Sequence, residues 1–426
     1  MLRRSADPAA QWAWIMATLI SPPAASVLYA LTRSRQSLLA AGRGASAVES
    51  IINAGCDTRM TQGNRLAVLS GCTAAFAAMI GDMQRARESI HIEFYILEAD
   101  RVGLTILSLL RRRSRAGVRV RVLCDAYGSR RLPRRLIESL RADGVEIRFD
   151  TPIRRSWTTP AVHCRNHRKM LVVDSQTAHI GGINIANRYL DGDSMGHWYD
   201  EQVRLTGEAV ADIERLFAAD WLRVSGEQLP AVRRFRARTG IVAGRTGVQV
   251  VWSEPGISRS TIADAMAAMI AEARVSLHIV TPYFMPPPWL VDSLRRAALS
   301  GVRVRLMLPL QCDSRIVCRV VHSYVMECVA AGIEVELYEG GFLHSKLMVA
   351  DSRRVVIGSA NLDYRSMEYN REVMAVIDDQ RAAREYVGRF EKMSAECRRI
   401  TSDDIVSGRW RCGIAEHLAR LLAPLL

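Results

Sequence analysis

His167-Arg168-Lys169-Met170-Leu171-Val172-Val173-Asp174 and His344-Ser345-Lys346-Leu347-Met348-Val349-Ala350-Asp351 share one pattern: His, any residue, Lys, four mostly apolar residues, Asp. Asn184 and Asn361 follow at the same offset, with Gly182 and Ser359 two residues before them. One such motif would carry little weight, because His and Lys fall two apart by chance in any long chain. Two copies with matched downstream residues mark a duplication.

The match extends outward. Ser89-Ile90-His91-Ile92 parallels Ser276-Leu277-His278-Ile279, Gly117-Val118-Arg119-Val120-Arg121 parallels Gly301-Val302-Arg303-Val304-Arg305, and Gly144-Val145-Glu146-Ile147 parallels Gly332-Ile333-Glu334-Val335. Short Val- and Ile-rich runs alternate with amphipathic stretches such as Thr105–Arg115, the pattern of strands separated by helices. This predicts an α/β fold built from parallel βαβ units. Two long copies point to internal duplication rather than a solenoid. The expected organisation is a first domain over 64–224, a connection over 225–247 rich in Gly and Arg, a second domain over 248–400 and a tail over 401–426. A site using one copy of each motif belongs between the halves.

If each motif is a strand, His and Lys two residues apart project to the same face. A neutral histidine is a nucleophile and a protonated one a general acid. Lys169 and Lys346 supply positive charge, and Asn184 and Asn361 supply amide donors, for an anion whose charge develops on non-bridging oxygens. The set describes phosphoryl transfer that requires neither metal nor cofactor. Asp200 follows His167 about as far as Glu372 follows His344, so these carboxylates are candidates to orient the imidazoles. Asp174 and Asp351, at strand ends, read as structural through bonds to loop backbone. His91 and His278 lack the motif lysine and read as structural too. Glu93 could line the site, but the second half has Val280 there.

The chain resembles the phospholipase D superfamily through its paired His-x-Lys-x4-Asp motifs. More narrowly it resembles bacterial cardiolipin synthases, through Gly358-Ser359-Ala360-Asn361-Leu362-Asp363-Tyr364-Arg365-Ser366, Asn370 with Glu372, Asn166-His167-Arg168-Lys169 and Pro282-Tyr283-Phe284. The resemblance covers the chain from about Asn64 onward. It implies two duplicated α/β/α sandwich domains with the active site at their interface. It also implies a catalytic set of His167, Lys169, Asp174, His344, Lys346 and Asp351, supported by Ser359 and the residues above. One histidine would attack phosphatidylglycerol and form a phosphatidyl-histidine, and the other would serve as acid and base. By that similarity His167 is the nucleophile. The acceptor would be a second phosphatidylglycerol, and water in its place would give phosphatidic acid.

Residues 8–31 contain no charged side chain and are long enough to span a bilayer. Pro22-Pro23 lies mid-segment and would break a helix, so a hairpin or oblique anchor competes with a span. Residues 1–36 are thus expected to attach the chain to the bacterial inner membrane, with the catalytic part facing the cytoplasm. A net charge of +14 and pI of 9.8 fit anionic phospholipid or nucleic acid. The apolar segment argues against a nuclease, and the intact motifs argue against a non-catalytic scaffold. A hydrolytic phospholipase D, or a transferase with another acceptor, shares the same residues. Nine cysteines without a Cys-x2-Cys pair argue against a zinc site and a disulfide framework.

Overall fold

Connection length decides how the strands pair. The computed structural model describes residues 46–151, 164–230, 244–254, 260–407 and 413–425. The first repeat contains β1 (Thr61–Ser70), β2 (Ser89–Phe94), β3 (Arg119–Asp125), β4 (Glu146–Asp150), β5 (Lys169–Val173), β6 (Thr177–Gly181), β7 (Trp198–Tyr199) and β8 (Glu201–Thr206). The second contains β9 (Thr246–Ser253), β10 (Ser276–Val280), β11 (Phe284–Met285), β12 (Arg303–Pro309), β13 (Glu334–Tyr338), β14 (Phe342–Leu343), β15 (Leu347–Ala350), β16 (Arg354–Gly358), β17 (Leu362–Asp363), β18 (Glu372–Asp378) and β19 (Cys397–Ile400).

Helical crossovers Arg101–Arg115 and Arg134–Ala142 make β2, β3 and β4 parallel. The turn at Asp174-Ser175 is too short for a crossover, so β5 and β6 form an antiparallel hairpin. Both turn residues have positive φ, as do Asp351 and Ser352 in the second repeat. The parallel sheet expected from the strand–helix alternation therefore holds for three strands of each repeat, and the motif strands run antiparallel.

Fifteen of these strands form one sheet, in the order β19-β13-β12-β10-β15-β16-β18-β9-β1-β8-β6-β5-β2-β3-β4, and β11 pairs with β17 and β14 with β7 apart from it. Read outward from the antiparallel β1–β9 junction, the two repeats have the same order, with β19 added at the outer edge of the second. Helices cover both faces. On one face, Cys72–Arg85 and Arg101–Arg115 pack on the first repeat, and Thr261–Glu272, Pro288–Leu299 and Arg315–Ala330 on the second. On the other face Ala209–Ser225 and Gln380–Ser394 share one core, with Met170, Val203 and Phe217 from one repeat beside Val250, Ile377 and Phe390 from the other. The duplication thus folds as a single compact unit over residues 44–426.

Much of the arginine is used internally. Arg111 and Arg115 pair with Asp143, and Arg113 donates to the Ala86 carbonyl. Cys312 and Cys318 are bridged, with Cα atoms 5.6 Å apart. The cysteine pattern argues only against a disulfide framework, and this single bridge closes a local loop of six residues' separation rather than building one. The apolar segment 8–31 and the stretch 231–243 lie outside the described residues. Among the described residues no helix is long and apolar enough to cross a membrane. In the tail, helix Ile414–Arg420 lies along Arg315–Ala330, with Arg420 bonded to Glu327 and stacked 4.0 Å over Tyr324.

Candidate active site

Each histidine is held by the backbone of the opposite repeat. The His167 N–H donates to the Arg371 carbonyl at 2.9 Å, and the His344 N–H donates to the Tyr199 carbonyl at 2.7 Å. Short strand β14 pairs with β7 in the same way, Leu343 opposite Tyr199. The residues after those carbonyls are Glu372 and Asp200. His167 Nδ1 lies 2.9 and 3.0 Å from the Glu372 oxygens, and His344 Nδ1 lies 2.6 Å from Asp200. The carboxylates foreseen as orienting groups are thus exchanged between the halves. Each fixes one imidazole with Nδ1 toward the protein, which leaves Nε2 for chemistry.

Both rings line one cavity of about 410 Å³ with Asn184 and Asn361. Tyr95 stands edge-on to His167 at 5.1 Å, while Tyr189 and Trp198 pack on His344 at 5.5 and 5.2 Å. Arg165, Arg188, Tyr283 and Asp363 complete much of the wall. Lys169 and Lys346 are fully buried behind it, each donating to the carbonyl of its own motif histidine.

The two sides differ electrostatically. Burial pulls His167 down to about 4, against the opposing pull of Glu372. Burial alone would raise Glu372, but His167, Lys169 and Ser359 outweigh it and hold its carboxyl below the usual range. His167 is therefore neutral beside an ionised partner at neutral pH. On the other side burial pushes Asp200 up to about 7, against the nearby Lys346. Burial, then the lysines, hold His344 well below an ordinary histidine, and burial brings Lys346 down to about 8. That side can hold and release a proton near neutrality.

Departures from repeat symmetry have local causes. A Cβ on Gly182 would lie 2.5 Å from both Asp200 oxygens, so the first repeat needs glycine there. Its counterpart Ser359 donates to Glu372, as does Ser366 at 2.8 Å. Arg168 is fully buried and crosses to the second repeat, bonding Glu254 at 2.6 Å and the Ser253 carbonyl at 2.9 Å, with Asp220 also in contact. Ser345, its counterpart, donates to Glu201 at 2.9 Å. The asparagines differ as well: Asn184 donates to the Tyr189 hydroxyl at 2.6 Å, and Asn361 to Asp363 at 3.0 Å.

Asp174 and Asp351 do not join the cavity. Asp174 accepts from the backbone N–H groups of Arg87, Glu88 and Ser89, and Asp351 from those of Arg274, Val275 and Ser276. They cap loops at the far ends of the motif strands, and the catalytic place implied for them by the motif is corrected accordingly. Glu93 is also off the wall; it is buried and accepts from Asn166 at 2.7 Å. His91 stacks on Phe217 at 4.7 Å and His278 meets Phe390 edge-on at 5.1 Å. Tyr95, Arg165, Arg188 and Tyr189 reach the cavity without a sequence signal, since none sits at a motif offset.

A family model described as the phospholipase D-like domain of cardiolipin synthase matches residues 79–221 and 266–394. Cardiolipin synthase 2 of Bacillus cereus is 38% identical over 352 residues, covering 82% of this chain and 68% of its own. The major cardiolipin synthase of Bacillus subtilis is 33% identical, covering 86% of this chain and 76% of its own. Among solved structures, the phosphatidylserine synthase of Haemophilus influenzae superposes with a TM-score of 0.68 at 17% identity, covering 89% of this chain and all of that one. The polyphosphate kinase of Porphyromonas gingivalis gives 0.55 at 16% identity, covering 87% of this chain and 52% of its own. At these identities the structural likeness speaks to fold alone.

Proposed function

Because the chain belongs to the phospholipase D-like cardiolipin synthase family, we propose that it moves a phosphatidyl group from one phosphatidylglycerol to a second and releases glycerol. It is a phosphatidyltransferase. The observation that carries the mechanism is the exchange of carboxylates, which sets two oriented imidazoles on one cavity.

His167 Nε2 attacks the donor phosphorus, forming a P–N bond as the bond to the glycerol oxygen breaks. The glycerol takes its proton from His344. The second phosphatidylglycerol then gives a hydroxyl proton to His344, its oxygen bonds phosphorus, and the P–N bond breaks to free His167. The ionised Glu372 stabilises the charge that His167 gains on attack. The Asp200–His344 pair, with its proton held near neutrality, supplies acid and then base. Lys169 and Lys346 offset charge on the non-bridging oxygens.

The substrates are membrane lipids, which supports a place on the bacterial inner membrane. The test is mass spectrometry of lipid products from defined phosphatidylglycerol vesicles. Cardiolipin with stoichiometric glycerol is expected. Phosphatidic acid alone would identify a hydrolase, and cleavage of DNA alone would place the chain among the nucleases.

A further inference from the structure

A cavity of about 410 Å³ houses headgroups, not the four acyl chains of two phospholipids. The chains must stay in the bilayer while phosphorus reaches His167, so the rim of the cavity has to meet the bilayer. Resting on the reading above, we propose that two equivalent segments form a docking surface for an anionic phospholipid bilayer: the loop after β3 carrying Tyr127, Arg130 and Arg131, and the loop after β12 with the first turn of helix Arg315–Ala330, carrying Leu310, Arg315 and Ile316.

Both segments border the cavity, one from each repeat: Asp313 and Ser314 are wall residues, and Tyr127 lies beside the wall residue Arg165. Tyr127 stacks under Arg130 at 4.4 Å and lies 5.6 Å from Arg165, which lines the cavity wall. Ile316 sits between Ser314 and Val317, both wall residues, and the Cys312–Cys318 bridge closes the loop that carries it. Tyr127 and Ile316 are each 47% exposed and Leu310 37%. Exposed arginines accompany them on both loops, with Arg131 72% exposed. Apolar tips among cations are the composition that enters an anionic interface. Exposure alone does not select this face. Val275 and Leu299 are more exposed still, but they lie just before β10 and at the end of helix Pro288–Leu299, at the opposite edge.

Hydrogen exchange of the full chain on phosphatidylglycerol vesicles tests the surface. Slowed exchange is expected at 126–132 and 310–319, with none at 273–276 or 299–302. Protection at the opposite edge, or equal protection on phosphatidylcholine vesicles, overturns it. Replacing Tyr127, Leu310 and Ile316 together by Ser should lower kcat/KM on vesicles by about tenfold or more. Turnover of monomeric dihexanoyl phosphatidylglycerol should be unchanged. Full vesicle activity in that variant, or equal loss on both substrates, contradicts the docking surface, whereas an unmodified chain inactive on either substrate contradicts the catalytic reading instead. If an added protein were needed for protection, the rim would be a protein interface and the proposal would fall.

Discussion

His344 meets Asp200 at 2.6 Å across 144 residues of chain, and His167 meets Glu372 across 205. Neither repeat orients its own motif histidine, because each imidazole is held by a carboxylate of the other half. Glu372→Gln and Asp200→Asn should each lower kcat by about three to four orders of magnitude with little change in KM. Comparable far-ultraviolet circular dichroism would exclude unfolding. Near-full activity in either variant would show that the exchanged pairs are structural.

Gly182 has no room for a methyl group, since its Cβ would press on both Asp200 oxygens. Gly182→Ala should displace that carboxylate and cost activity nearly as severely as Asp200→Asn. Gly388→Ala is the control: no atom lies within 4 Å of the added carbon, and the position is helical. It should stabilise the fold by about 0.5–1 kcal/mol and leave turnover alone. Thermal melts and initial rates on both variants decide the matter.

Asp174→Ala should behave differently from the histidine variants, although Asp174 belongs to the same motif. It removes the acceptor of three backbone N–H groups on a loop far from the cavity. The expected result is a loss of about 1–2 kcal/mol in stability with kcat within about threefold of the parent. A collapse of kcat at unchanged melting temperature would return Asp174 to the chemistry.

The sequence made the duplication, the strand positions and both motif pairs of His and Lys legible, because each rests on local spacing. A further signal supports the lysines: Lys169, Lys346 and Lys392 are the only lysines among 58 basic residues. A chain that uses arginine almost everywhere keeps lysine behind both histidines, where a buried, tunable point charge is needed. The exchange of carboxylates was not legible. Asp200 and Glu372 stand at similar distances beyond their own histidines, and only the fold shows that each serves the other. The antiparallel motif hairpin was hidden by the apolar runs, which look alike in either direction. The Cys312–Cys318 bridge depends on a loop closure that spacing does not reveal.

The two sides of the cavity should give a pH profile unlike that of ordinary histidines. His167 lies near 4, lowered by burial, so kcat/KM should fall as pH drops through about 4 and the nucleophile becomes protonated. Asp200 lies near 7, raised by burial. The proton for the leaving group is present below that value, and activity should fall as pH rises through it. These apparent values belong to coupled pairs rather than to single residues. An acid limb near 6.5 would place the nucleophile in an ordinary, hydrated setting. Asp200→Asn should remove the inflection near 7 from whatever rate remains.

The most direct test is to trap the covalent intermediate. The enzyme is quenched during turnover of phosphatidylglycerol in alkaline detergent, which preserves a phosphorus–histidine bond, and its peptides are mapped by mass spectrometry. The account predicts one phosphatidyl group on the peptide carrying His167 and none on that carrying His344. A phosphatidyl group on His344, on both histidines, or on neither during steady turnover would contradict it.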